Sequence, residues 1–253
     1  MDNTVVDAAR QALGPVGACL PVSFSSTPSA DVQREAVGRW ERAGYRAVWT
    51  NEVVGKDALV QLAILLAGTE QMAFGSCIAN IWARPAQTMH AAAAQLAQAY
   101  PGRFVLGLGV GYPEQAASTG QQFGSPLATM RDYLGRMDSP TSPPAPDAAY
   151  PRIIAANGPK MLALAGETAD GALPAMLPPE FTAQARQLLG RDKLLVVGLS
   201  VVVDAEAAAI AAQAREHLTA GADHVALLLP IGIEFASGIR QLEQLAPALA
   251  ELG

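Results

Sequence analysis

The chain has 253 residues, 51% of them hydrophobic and 16% charged, with a formal net charge of −6. That hydrophobic share excludes a disordered chain. The acidic balance and scattered Lys and Arg argue against nucleic acid or an anionic membrane as partner. The longest apolar run, Leu194–Val203, is too short to span a bilayer and is broken by Gly198 and Ser200. The N-terminus carries Asp2 and Asp7 with no apolar targeting core, so a cytoplasmic protein is expected.

Strand-like apolar runs alternate with helix-like segments along the whole chain. The first strand candidate, Val16–Leu20, contains Cys19. Asp31 then offers a cap for a helix whose apolar stripe is Val32, Ala36, Val37 and Trp40, closed by Gly44. Strand candidate Ala47–Thr50 precedes helix Asp57–Thr69, and Met72–Asn80, with Cys77, precedes helix Pro85–Tyr100. If the two cysteines lie on the first and third strands of a parallel sheet, about 9–10 Å separates them, beyond disulfide reach. Free buried thiols are therefore expected.

Strand candidate Phe104–Val110 follows, then a Pro-rich link at 138–151. Strands Arg152–Ala156, Ala172–Met176, Leu194–Asp204 and His224–Pro230 complete a set of eight. Helices Pro159–Thr168, Pro179–Leu189, Ala205–Ala220 and Gly238–Leu252 follow them in turn. Most of the strand runs are continuously apolar, as strands buried on both faces should be. Eight β/α repeats predict an α/β fold, a (β/α)8 TIM barrel forming a single domain over 1–253. The alternative is an open doubly wound sheet. That fold carries its glycine-rich phosphate turn after the first strand, where this chain reads Leu20-Pro21-Val22-Ser23.

In a barrel the chemistry sits at the C-terminal strand ends. Glu52 stands after the second strand and could act in proton transfer or orient a hydroxyl. The third strand ends with Asn80, Trp82 and Arg84: an amide, a ring that can stack and a cation. Gly107, Gly109 and Gly111 alternate along the fourth strand. They leave a strip without side chains, against which a flat ring or another backbone could lie. Tyr112 follows at the rim. His90 and His217 fall in helices and His224 begins the last strand, so a triad or a His-ligated metal site is not expected.

Residues 152–171 carry the strongest single signal. The strand run stops at Asn157-Gly158-Pro159, and a helix pattern begins at once. Proline suits the first helical position. Gly158 permits close approach to the backbone, and the free N–H groups with Lys160 make an anion seat.

The stretches GYRAVWTNE, FGSCIANIWARPAQT, YPGRFVLGLGVG and IIAANGPKMLALAGETADG occur in the order seen in the bacterial luciferase-like oxidoreductases. The chain most resembles their deazaflavin (coenzyme F420)-dependent branch, and the similarity runs from about Gly14 to about Pro230. The resemblance implies a barrel that binds coenzyme F420, or alternatively FMN, at its C-terminal rim. It places the ring on a bulge with a cis peptide at Cys77–Ile78. Asn80 would stand at the ring edge, Gly111 with Tyr112 at its border, and Ala156, Asn157 and Gly158 at the phosphate. Ala175 would lie near the same tail.

The implied function is hydride transfer between the deazaflavin and a small organic substrate. Glu52 or Tyr112 would move any proton, and Trp82 and Arg84 would border the substrate. The alternatives are an FMN-dependent monooxygenase using O2 and a partner reductase, or a non-catalytic flavin-binding barrel. A homodimer is the implied assembly. Three departures from the relatives stand out. Glu52-Val53 replaces an Asp-His pair, Tyr112 stands where some relatives have Glu, and the segment between the seventh and eighth strands is short.

Overall fold

The computed structural model describes residues 4–252. In chain order the elements begin α1 (Thr4–Leu13), β1 (Val16–Cys19), α2 (Ala30–Arg42), β2 (Ala47–Thr50), α3 (Ala58–Leu66), β3 (Ala73–Ser76) and β4 (Ala79–Asn80). They continue α4 (Ala86–Ala99), β5 (Phe104–Gly109), α5 (Pro113–Ser118), α6 (Pro126–Met137), β6 (Arg152–Ala155), α7 (Pro159–Thr168) and β7 (Gly171–Leu173). The last are α8 (Pro179–Leu189), β8 (Leu194–Ser200), α9 (Ala207–Thr219), β9 (His224–Leu228) and α10 (Phe235–Leu249).

All strand pairings are parallel, and β9 pairs with β1, which closes the sheet into a barrel. The expected third strand is split into β3 and β4, both of which pair with β5. The eight predicted strand positions are thus present, with one of them interrupted. The break is the cis peptide at Cys77–Ile78. No helix of the described residues is long and apolar enough to cross a membrane.

Two details differ from the sequence reading at α2 and at the chain start. Ser29, not Asp31, caps α2, accepting from the Val32 N–H. Asp31 lies in the first turn and pairs with Arg34 instead. α1 was not expected as a helix. Its Val6, Ala9 and Leu13 pack against Ala47, Trp49, Ala73, Val105 and Ile153 of the barrel interior and plug the N-terminal mouth. Closing that end leaves the C-terminal end as the open one.

A fixed polar pair sits inside the barrel. Trp49 donates its indole N–H to His224 Nε2 at 2.9 Å, and His224 Nδ1 meets the Gly14 carbonyl at 2.7 Å. With one nitrogen accepting and the other donating, the imidazole is neutral in a single tautomer. Burial pushes its pKa down to about 4. His224 therefore belongs to the barrel's stability face.

Candidate active site

A cavity of about 570 Å³ opens at the C-terminal strand ends, within the size range of small-molecule sites. Its floor is the interruption between β3 and β4. The Cys77 N–H donates to the Thr50 carbonyl at 2.7 Å, and the Glu52 N–H donates to the Ile78 carbonyl at 3.1 Å. On the other side the Ser76 hydroxyl donates to the Gly107 carbonyl and accepts from the Gly107 N–H, at 2.8 and 2.9 Å. The Cys77 N–H, the Ile78 carbonyl and both backbone groups of Gly107 thus keep partners across the interruption.

The glycine strip explains how this bulge fits. A Cβ on Gly107 would lie 2.0 Å from the Ser76 carbonyl oxygen, and one on Gly109 would lie 2.5 Å from the Ile78 side chain. At Gly107 and Gly109 the strip is filled by the neighbouring bulge, which is the close backbone approach. Gly111 has φ +55°, and a Cβ there would meet Gln115 Oε1 at 2.0 Å. That oxygen accepts from the Tyr112 N–H at 2.9 Å. Tyr112 lines the cavity, is 67% exposed, and keeps its hydroxyl free of hydrogen bonds within the described residues.

Glu52 also lines the cavity, but its carboxylate is committed. It accepts from the Ala58 N–H at 3.0 Å and the Asn80 N–H at 2.7 Å, and it holds both guanidinium nitrogens of Arg84. Asp57 flanks the same Arg84 at 3.0 Å. With four donors on one carboxylate, Glu52 positions β4 and the start of α3. Both carboxylate oxygens are engaged in this geometry, whereas strand-end position suggested a group open to proton transfer.

Trp82 and Arg84, expected to border a substrate, and Asn80, expected at the ring edge, do not line the cavity. Trp82 is buried, donates its indole N–H to the Val110 carbonyl at 2.7 Å and packs on Phe123. It braces the turn after β5 from behind. Asn80 is buried beside it and accepts from the Trp82 N–H.

Of the residues expected around a phosphate, Ala156, Asn157 and Ala175 line the cavity and Gly158 does not. Ala155, Ala156 and Asn157 line the cavity, and Ala175 stands across from them. Gly158 is the N-cap of α7, in extended backbone, and a Cβ built on it meets nothing within 4 Å. The N–H groups of Asn157, Gly158 and Lys160 find no acceptor among the described residues, and Pro159 has none to offer. Open space, unpaired donors and the positive end of a helix dipole coincide at one turn.

The cysteines overturn the distance expected from strand spacing. Cys19 Sγ and Cys77 Sγ are 3.4 Å apart, and both line the cavity as free thiols. Strand spacing measures backbones, whereas inward side chains of alternate strands meet near a barrel's axis. The hydrogen bond from Cys77, aided by the Lys56 charge, holds the Cys19 thiol below its usual range despite burial. The Cys77 thiol is pushed well up by the same pairing and by burial. Burial lowers Lys56, whose ammonium bonds Asn51 Oδ1 at 3.1 Å. Cys19 is thus a cavity-lining group that strand position alone did not single out, and Lys56 lies behind it, bonded to the lining residue Asn51.

The model of the luciferase-like monooxygenase family matches residues 15–249. The chain belongs to this family. One relative is the "Putative coenzyme F420-dependent oxidoreductase" of Mycobacterium tuberculosis. It is 29% identical over 187 residues, covering 61% of this chain and 54% of the relative. Another is the 5,10-methylenetetrahydromethanopterin reductase of Methanolobus tindarius, 28% identical over 172 residues, covering 60% and 53%. The chain thus spans about half the length of these curated relatives. The fold is also that of an F420-dependent secondary alcohol dehydrogenase solved with an F420–acetone adduct. The TM-score is 0.72 at 15% identity, covering 92% of this chain and 98% of that one.

Proposed function

We propose that this luciferase-like barrel is an oxidoreductase that binds coenzyme F420 and moves hydride between it and a small organic substrate. The observation that carries the reading is the turn at Asn157-Gly158-Pro159. There the N–H groups of Asn157, Gly158 and Lys160 find no acceptor among the described residues, a Cβ on Gly158 would meet open space, and Asn157 lines a cavity whose floor is a backbone bulge. The name of the Mycobacterium tuberculosis relative agrees with the cofactor, and that of the Methanolobus tindarius relative with a reductase.

When bound, the deazaflavin supplies a ring carbon that accepts or gives hydride. The chain's own residues do the rest. The N–H groups of Asn157, Gly158 and Lys160 hold the phosphate, with the Lys160 side chain one residue into the helix. Cys77, Ile78 and Gly111 support the ring, with Asn80 fixing the turn beside it. Leu173, Leu228 and Leu229 line the cavity as an apolar wall that excludes water. Tyr112 has the uncommitted hydroxyl for a proton step. Phe24, Val54, Met176 and Ile231 leave apolar surface on the loops around the mouth, which suits a substrate with an apolar body. A homodimer in the cytoplasm is the proposed working form.

Titration of the protein with coenzyme F420 and, separately, with FMN tests the reading. Saturable change in deazaflavin absorbance is expected, with much weaker binding of FMN. Tight FMN binding alone would replace this reading with a flavin monooxygenase. Coenzyme F420 that binds but is never reduced or oxidised by any alcohol or ketone panel would leave a binding protein.

A further inference from the structure

The floor of the cavity holds a reactive pair that hydride transfer does not use. Cys19 and Cys77 face each other at 3.4 Å, on β1 and on the bulge after β3. Cys19 is only 5% exposed, and what exposure it has is toward the cavity it lines. Beside them stands Lys56, whose charge acts on both sulfurs. A disulfide bond is about 2.05 Å long, so roughly 1.4 Å of sulfur movement, within the reach of side-chain rotation, closes the pair.

We propose that Cys19 and Cys77 form a peroxide-reactive dithiol on the cavity floor, open to oxidation when the cavity is empty and shielded when it is filled. Its substrate class is a small hydroperoxide. The Cys19 thiolate attacks one peroxide oxygen and the O–O bond breaks. The departing oxygen takes a proton and leaves as water or an alcohol, and Cys19 becomes a sulfenic acid. The Cys77 sulfur then attacks the Cys19 sulfur, forming the S–S bond and expelling hydroxide. That hydroxide leaves as water with the Cys77 proton. Two thiols are oxidised by two electrons and one peroxide is reduced.

The chemistry assigns the order. The thiolate is the nucleophile, and the sulfur nearer the thiolate state is Cys19, beside Lys56. Cys77 is placed to resolve. The disulfide ties the bulge to β1 across the cavity floor, so the oxidised protein carries a cross-link under any bound ring. The dithiol stands on its own geometry. Only the identity of the shielding ligand rests on the cavity being the coenzyme F420 seat.

The test exposes the reduced full chain to hydrogen peroxide and maps peptides without reductant. The expected result is joint loss of both thiols, a linked Cys19–Cys77 peptide and full recovery with dithiothreitol. Saturating coenzyme F420 should slow the loss at least tenfold. Cys77→Ser, checked for folding by circular dichroism, should stop at a sulfenic acid on Cys19 that dimedone traps. Phenylarsine oxide, which bridges paired thiols, should bind once per chain and dissociate far more readily from Cys19→Ser.

Peroxide that consumes free glutathione while leaving both thiols intact would overturn the proposal. So would oxidation of Cys19 to a sulfinic acid with no linked peptide. Linkage at an undiminished rate in the F420-saturated protein would overturn the shielding. Failure of coenzyme F420 to bind the reduced protein, with the linked peptide still formed, would overturn the cofactor reading and support the dithiol.

Discussion

Asn157 and Ala175 tie two strand ends together at the barrel mouth. Asn157 Oδ1 accepts from the Ala175 N–H at 2.9 Å, and its Nδ2 donates to the Ala175 carbonyl at 3.2 Å. The amide side chain thus fixes the direction in which the Asn157 and Gly158 N–H groups point. Asn157→Ala removes both bonds. We expect a loss of about 1 kcal/mol in stability by urea unfolding, the scale of one net hydrogen bond at an exposed site. Coenzyme F420 affinity should fall by more than that loss alone would suggest, because the phosphate donors lose their alignment.

Gly158 separates ligand effects from folding effects. Its extended backbone is open to any residue, and nothing in the protein occupies the space a Cβ would take. Gly158→Leu should therefore keep the melting transition within about 1 kcal/mol of the original, the scale of N-cap changes. The same side chain fills the proposed phosphate cradle, so coenzyme F420 should bind at least tenfold more weakly. Unchanged affinity in an intact fold would remove the phosphate from this turn.

Glu52 makes the opposite prediction. Its side chain is buried against Arg84, and two backbone amides depend on it. Glu52→Ala leaves a buried guanidinium with Asp57 as its remaining carboxylate. We expect a loss of about 3 kcal/mol in denaturant unfolding, the lower end for breaking a buried pair. A proton-transfer residue would instead lose turnover at nearly unchanged stability.

His224 sets an acid-side slope. Its pKa is about 4 in the fold against an ordinary value of 6.5. Between those values the unfolded chain binds the proton that the folded chain refuses, so stability falls as pH falls through this window. The expected loss is about 2 kcal/mol between pH 7 and pH 5. His217, also lowered by burial, adds to it with the same sign. His224→Gln should be less stable at pH 7 and show a flatter slope in urea unfolding across the same range.

The barrel was legible because its strands are apolar runs and its caps and glycines fall between them. The strand-to-helix turn at Asn157-Gly158-Pro159 was legible too, since proline and glycine at one junction mark a helix start and its free donors. α1 and α6 were not read, although α6 spaces Met130, Tyr133, Leu134 and Met137 as one buried stripe. Glu52, Trp82 and Arg84 stand at the strand ends the sequence indicates, but their hydrogen-bond partners there were not legible. Strand-end position says that a side chain is near the mouth. Whether it turns inward or locks onto the next loop depends on partners such as Asp57 and Val110, which only the fold brings close. The Cys19–Cys77 approach was missed for the same reason, since curvature of the closed sheet sets it.

A crystal structure of the protein grown with coenzyme F420 tests the account most directly. Ring density is expected against the Cys77–Ile78 bulge, with a phosphate on the N–H groups of Asn157, Gly158 and Lys160. A ring bound elsewhere, with that turn turned away from any anion, would contradict it.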